Sequence, residues 1–444
     1  MTGMPQTTRP GSRLFAPDLR IAKLGALSPS GEQGEIQELP REDVVSVEIT
    51  RVSSGPSHYS ITLNNWDNAI AARRDAQQQT WPPFKYNNFD HFEFGMRLRI
   101  DMRYWPDASQ EAAQTVQAAH AWVPLIAGPI TDMQFTFTAT EGARLTIKGE
   151  DDLFPLKNNS EEKVTYQRKT EKFIIEDILR RASYPLTLRE PQIQRPGFFD
   201  NQSNGITDNI QDGQSYLEYL QKFAKRYDCE MFVEFNDPAS TSPAVGFHFE
   251  PARSRVSPNN NLRHLYVLER GKNLIEFKPT FKVLDQYTEV KVKGRHRVRS
   301  RPQLVQQPAL PAVLSDELYH DSELGDRALT PGPDVRTHYL SRYFNAHLAR
   351  NINQLPNQTN IDEERASAMA EAVMRQKSRE FLSITGTTIG MPHMRPGVYV
   401  EIRKMRQPFD GFYYVEKTVT RYATRGFTTQ FIARRPGMQL PPYN

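Results

Sequence analysis

The sequence predicts a β-rich α+β protein in which two antiparallel β-barrels flank a small α+β middle region. Three observations carry this. Apolar residues alternate with period two across 41–152. The period changes to 3.6 in two stretches between 153 and 263. Period two then returns over 264–300 and 361–436. A period of two is the mark of a half-buried strand, and 3.6 that of an amphipathic helix.

Residues 1–40 are rich in Pro, Gly, Ser and Gln and read as an N-terminal arm. The first barrel, 41–152, opens on Val45, Val47 and Ile49, and SHYSITLNN follows the Gly55-Pro56 turn as a hairpin partner. The clearest strand is 92–104. There Phe92, Phe94, Met96, Leu98, Ile100, Met102 and Tyr104 alternate with Glu93, Gly95, Arg97, Arg99, Asp101 and Arg103. Met133, Phe135, Phe137 and Ala139, then Ala143, Leu145 and Ile147 beyond Glu141-Gly142, give two more strands. A polar insertion with helical character, 66–90, interrupts the unit and ends in Pro82-Pro83.

In the middle domain, 153–263, Ile174, Ile175, Ile178, Leu179 and Ala182 form one helical stripe. Tyr216, Leu217, Leu220, Phe223, Ala224 and Tyr227 form another, with Asp212 as its expected N-cap. Strands CEMFVEF and VGFHFE follow. The second barrel is assigned HLYVLE, LIEFKPTF and TEVKVKG in 264–300, a helix at 362–381, and three C-terminal strands up to 436. Residues 301–360 read as an insertion or linker, and 437–444 as a tail. The matched β units suggest an internal duplication.

The 444 residues include 24 Phe and 18 Tyr, enough for sizeable cores. Lys+Arg 56 against Asp+Glu 52 leaves +4, which excludes a global polycation. A single cysteine, Cys229, excludes an intramolecular disulfide framework and a Cys-rich zinc site. No apolar run approaches the roughly 20 residues of a membrane span. The N-terminus lacks the apolar core of a signal peptide, so synthesis in the cytoplasm is expected, with no direct membrane insertion.

Motifs for nucleotides, metals and nucleophilic serine are missing from the sequence, so no cofactor, metal or catalytic residue is assigned. His91 reads as a surface or capping histidine. Cys229 reads as a small buried residue. Glu150, Asp151 and Asp152 are expected in a solvated turn, because adjacent carboxylates on a strand point to opposite faces and make a poor catalytic pair. Trp66, Trp81, Trp105 and Trp122 lie within 66–122 and form a candidate aromatic interface, the alternative being that they fill one barrel. Lys291, Lys293, Arg295, Arg297, Arg299 and Arg301 occupy six consecutive odd positions. On an extended strand they project to one side, as a candidate charged interface or as the guard of an exposed sheet edge.

Three stretches carry a family resemblance: ARLTIKGEDD, DGQSYLEYLQKFAKRYDCEMFVEF, and RPGVYVEIRKMRQPFDGFYYVEKTVTRYATRGFTTQFIARRP. Together they resemble the phage late control protein D family, the baseplate hub of contractile tails. They are also similar to the N-terminal half of the valine-glycine repeat spike proteins of type VI secretion. Pro396-Gly397, Gly411-Phe412-Tyr413-Tyr414-Val415 and Gly426-Phe427-Thr428-Thr429 fit that family's last stretch, and Arg421 stands near where a histidine is common. The resemblance covers about 41–300 and 361–436.

The resemblance implies a homotrimer with two tail-tube-like barrels per chain. The trimer would join a sixfold inner tube to a threefold spike without catalysis. It implies as partners the inner tube protein, baseplate wedge proteins and cargo in the lumen. The chain stops at GMQLPPYN, so the spike is expected as a separate polypeptide. The competing readings are a tail-associated cell-wall hydrolase and a nucleic-acid-binding protein using the 291–301 strand.

Overall fold

The computed structural model describes residues 17–24, 37–67, 84–87, 91–104, 122–139, 142–158, 163–167, 169–182, 186–190, 199, 208–235, 245–251, 266–282, 289–295, 302–308, 352–354, 358–359, 363–406, 409–423 and 426–435. The first β unit contains β1 (Pro17–Leu24), β2 (Gln37–Glu38), β3 (Val44–Val52), β4 (His58–Asn64), β5 (Arg97–Tyr104), β6 (Val123–Thr138) and β7 (Gly142–Glu150). Then come α1 (Pro155–Asn158), β8 (Lys163–Gln167), α2 (Glu171–Arg181), β9 (Thr187–Leu188), β10 (Asp208–Asp212), α3 (Tyr216–Tyr227), β11 (Cys229–Phe235) and β12 (Val245–Pro251). After β13 (Tyr266–Glu269) and β14 (Leu274–Phe281) lie β15 (Glu289–Arg295), β16 (Pro302–Pro308), β17 (Ile352–Gln354), β18 (Gln358–Thr359) and α4 (Glu363–Arg379). The chain ends on β19 (Leu382–Ile389), β20 (Tyr399–Arg403), β21 (Gly411–Ala423) and β22 (Gly426–Arg435).

The β-rich α+β class holds, but the two β units are not separate sheets. They share one 13-stranded sheet ordered β14-β19-β22-β21-β3-β4-β7-β6-β5-β1-β2, with β13 and β20 branching from β21. No closed ring of strands occurs among the described residues. The cause is the length of β21. One edge of it pairs with β22. The other edge is divided, 411–414 pairing with β20 and 417–423 with β3.

The duplication survives as strand order. Setting β2 aside, the first unit runs β3-β4-β7-β6-β5-β1 and the second β14-β19-β22-β21-β20-β13. In chain order both are second, third, sixth, fifth, fourth, first. Two pairs of irregularities match as well, although the bulge at Leu125 of β6 has no counterpart in β21. β6 is bulged at Thr131 and β21 at Glu416; β3 is bulged at Val45 and β14 at Ile275. Pairing outward from these bulges equates Gly95 with Gly397, and both have left-handed backbone, φ 83° and 82°. The amide of Gly95 donates to Ile130 O and that of Gly397 to Val415 O, at 2.9 and 2.8 Å. Only glycine takes this φ without steric cost. One pairing differs in direction: β1 is antiparallel to β5, whereas β13 is parallel to β20.

Each β unit has its own core. Leu19, Ile21, Ile49, Ile61, Leu98 and Leu145 lie in the first, and Leu268, Ile384, Val400, Tyr413 and Phe431 in the second. Residues 17–24 therefore correct the reading of an N-terminal arm. β1 pairs with β5 over eight residues. It is buried on both faces, so its sequence lacks a clean alternation. β5 is also buried on both faces: beside Leu98 and Ile100, Arg97, Arg99 and Asp101 are 5%, 3% and 0% exposed. Arg97 Nε donates to Asp152 Oδ1 at 3.0 Å and Arg99 Nε to Asp101 Oδ1 at 2.8 Å. These pairs neutralise the charges that desolvation would otherwise penalise.

The middle unit gathers a third core from α1, α2, α3, β11 and β12. α3 is capped by Ser215, not Asp212. The Ser215 hydroxyl accepts from Glu218 N at 3.2 Å, and Glu218 Oε2 accepts from Ser215 N at 3.1 Å, a reciprocal cap. Val292 of β15 and Ala366, Met369 and Ala370 of α4 also belong to this core. The sequence reading placed both elements in the second barrel; the structure packs them on the middle unit. A buried bidentate pair secures α4: Arg365 Nε and Nη2 reach Glu171 Oε1 and Oε2 at 2.7 and 2.8 Å.

Candidate functional site: edges of the shared sheet

The residues singled out for chemistry are mostly spent on structure. Asp151 and Asp152 are 4% and 0% exposed, which corrects the expected solvated turn. Asp151 accepts from Ser57 N at 2.8 Å and Leu153 N at 3.1 Å, closing the end of β7. Burial pushes its carboxyl up to about 7, against the lowering effect of those two amides. Glu150 takes Lys157 Nζ at 2.6 Å. Cys229 is buried at the start of β11, its Sγ 3.8 Å from Tyr227 O. His91 is exposed, with its ring edge-on to Tyr86. Among the described residues no group of His, Cys, Asp and Glu could hold a metal ion.

The basic run divides. Lys291, Lys293 and Arg295 lie on β15, while Arg297, Arg299 and Arg301 fall outside the described residues. β15 is no exposed edge. It pairs with β16 on one side and with β17 and β18 on the other. Val292, between the basic positions, is wholly buried, which fixes one face of β15 on the middle core.

The tryptophans divide too. Trp81 and Trp105 lie outside the described residues. The Trp122 ring is held between Arg103 and Arg20, at 4.1 and 4.8 Å, and ties β1 to β5. Trp66 is 37% exposed and packs edge-on against Phe84, which in turn meets Phe137 of β6 at 4.9 Å. This aromatic group sits beside the 132–138 segment of β6.

The repeat defines the edges of the shared sheet. In the second unit, 417–423 of β21 receive β3. The equivalent segment of the first unit is 132–138 of β6. No described strand pairs with it on the side away from β7. Conversely β3, covered by β21, corresponds to β14, which among the described strands pairs with β19, with a single bridge from Leu274 to Arg270. Exposed apolar side chains mark both edges: Phe137 is 53% exposed, Phe281 42% and Ile275 62%. No signal in the sequence pointed to these edges, because hydrogen-bond partners are not encoded in local periodicity.

This arrangement defines a class: a β-rich scaffold built from two repeated units in one sheet. No described helix is long and apolar enough to cross a membrane. No family model and no curated protein sequence matches the chain. Solved structures do match. The prophage MuSo2 43 kDa tail protein from Shewanella oneidensis is 12% identical with TM-score 0.54, over 96% of this chain and 100% of that one. The tail protein from Neisseria meningitidis MC58 is 8% identical with TM-score 0.55, over 95% and 97%. A lidless PdpA-VgrG complex is 8% identical with TM-score 0.50, over 97% and 67%. The chain has the fold of phage tail proteins.

Proposed function

We propose that the protein is a structural baseplate hub of a contractile tail or injection particle, acting as a homotrimer between an inner tube and a separate spike polypeptide. The observation that carries this is the repeated strand order within one chain. Three chains with two equivalent units each present six equivalent surfaces, while the middle units repeat only three times. Such a body meets a sixfold tube on one side and a threefold spike on the other. Closed cyclic symmetry also leaves no open edge on which a further copy can add. Its work is to align and transmit force, with baseplate wedge proteins around it and cargo passing through its lumen.

The burial of Asp151, Asp152 and Cys229 within intact hydrogen bonds supports a role without turnover. Light scattering of the purified chain with and without its spike partner tests the reading. A threefold mass is expected, and a strictly monomeric complex would overturn it. A turbidity assay on peptidoglycan is expected to show no lysis.

A further inference from the structure

We infer that the basic end of the second β unit, Arg270, Lys272, Arg403, Lys404 and Arg406, docks an acidic polypeptide segment of a partner, three such segments to the assembly. The inference rests on the hub reading only for the number three. The surface itself stands on where the chain places its cations and carboxylates.

β13 and β20 run parallel, with Glu269 opposite Arg403 at their common end. The turns that follow, at 270–273 and from 404, emerge side by side, and Arg270 N donates to Arg403 O at 3.3 Å. Charges sort by depth there. Glu269 is 8% exposed and is clasped by Lys272 and Lys404, which hold its carboxyl below the ordinary range. Glu401 takes Arg403 Nη2 at 2.6 Å, and Asp410 Oδ1 accepts from Met405 N at 2.7 Å. The cations lie outside. The side chains of Lys272, Arg403 and Lys404 are 52%, 43% and 62% exposed. Arg270 and Arg406 are exposed as well, and neither forms an ion pair among the described residues. Five outward cations over three inward carboxylates make this end positive in a chain whose net charge is only +4.

The backbone holds the cations in place. Lys404 and Arg406 have left-handed conformations, φ 65° and 66°. These are unfavourable for a residue with a Cβ, whereas glycine adopts them freely. The third such residue, Asp228, is accounted for as the C-cap of α3. Strain of this kind gathers where side chains must be presented to a ligand. Met405, between the two, packs on the second core, and Arg406 O accepts from Phe409 N at 2.9 Å, which fixes the turn. The first unit has no such surface. Through the equivalence of Gly95 with Gly397, Arg403 corresponds to Asp101, Lys404 to Met102 and Arg406 to Tyr104. There β5 runs on as a strand, with Asp101 and Met102 buried. The opposite direction of β1 leaves Arg270 and Lys272 without counterparts. A trimer thus carries the basic end three times, not six, and suits a partner of threefold repeat. Guanidinium forks accept carboxylates and phosphates alike. An acidic polypeptide fits better than a nucleic acid because the ring in the turn, Phe409, faces Phe277 and Phe281 and offers no platform for a base.

Fluorescence anisotropy of labelled decaglutamate with the full chain tests this. Binding is expected at low salt and is expected to weaken as salt rises. Arg270→Glu with Arg406→Glu is expected to weaken it about tenfold. The same reversal on β7, Arg144→Glu with Lys148→Glu, is expected to leave it unchanged. Arg270→Gln with Arg406→Gln removes charge from exposed side chains without reversing it. It serves if the first pair does not fold, with a loss of about threefold expected. No binding at low salt would overturn the surface. Equal loss from the β7 pair, or loss only on reversing Lys291, Lys293 and Arg295, would overturn its location. A single-stranded DNA oligonucleotide of matched charge that binds more tightly, and is weakened by the Arg270 and Arg406 reversal, would overturn the acidic-peptide reading. A trimer in light scattering that does not bind decaglutamate would sink the surface and leave the hub reading standing. A monomer, alone and with the spike partner, that still binds at the basic end would overturn the hub reading and the number three, and keep the surface.

Discussion

β3 and β14 hold the same place in two copies of one strand order, yet one is interior and the other is not. In β3, Val47 and Ile49 are 1% and 0% exposed, sealed by β21. Their equivalents in β14, Phe277 and Pro279, are only partly buried. The difference teaches that the repeat is defined by its backbone ladder, while side chains have diverged according to which edges are covered. Gly149 and Ala433 show the same divergence inside the cores. A Cβ on Gly149 would lie 2.2 Å from the Tyr59 ring, whereas the equivalent neighbour of Ala433 is the smaller Ile384.

The largest break in that comparison is expected at Arg97 and its equivalent Tyr399. Arg97→Ala removes a bidentate cationic partner from the buried Asp152 carboxylate and is expected to cost about 3–5 kcal/mol. Tyr399→Ala removes a partly exposed ring stacked edge-on with Tyr414 and is expected to cost about 1 kcal/mol. Urea unfolding of both variants checks the ranking; equal losses would refute it. Gly149→Ala comes next, with a loss of about 1–3 kcal/mol from overpacking. Adding Tyr59→Ile, which imports the second unit's solution, is expected to recover part of that loss. An additive double variant would show that the two sites are not equivalent.

Gly95→Ala and Gly397→Ala are expected to cost about 1–2 kcal/mol each, since both force a side chain to positive φ. A twofold disparity between them would argue against the equivalence. The smallest effect is a pH slope. Asp151 occupies the position that Arg435 holds in the second unit. Its folded pKa, pushed up to about 7, exceeds the unfolded value near 4, so between those values the folded chain binds more protons. Its contribution therefore favours folding at pH 4 and fades as pH rises through 7. The melting temperature of Asp151→Asn, relative to the unsubstituted chain, is expected to rise over that interval. A flat difference would count against a protonated Asp151.

Period two made β3 to β7 and β20 to β22 legible, and the 3.6 stripes located α2 and α3; β19, LSITGTTI, went unread. β1 escaped because Leu19, Ile21, Ala22 and Leu24 are buried on both faces within a segment of arm-like composition. The GEDD run was misread because its solvent is replaced by Arg97 and two backbone amides, partners 55 or more residues away or in a turn. The repeat itself left almost no side-chain trace. Matched glycines such as Gly95 with Gly397 and Gly142 with Gly426 become informative only once φ is known. The basic run was legible as a strand, but its neighbours β16, β17 and β18 come from a stretch without periodicity.

The pairing of β3 with β21 also sets a timetable for biogenesis. Glu48 and its partner Arg421 are 373 residues apart. At about 5–20 residues per second, the ribosome takes roughly 20–75 s to deliver the second after the first. Through that interval the nascent first unit shows a bare β3 whose intended cover does not yet exist. Neighbouring nascent chains on one message would display the same sticky ribbon at the same time. The hairpin of β21 with β22 thus acts as a release signal: until it is made, premature partners compete for β3.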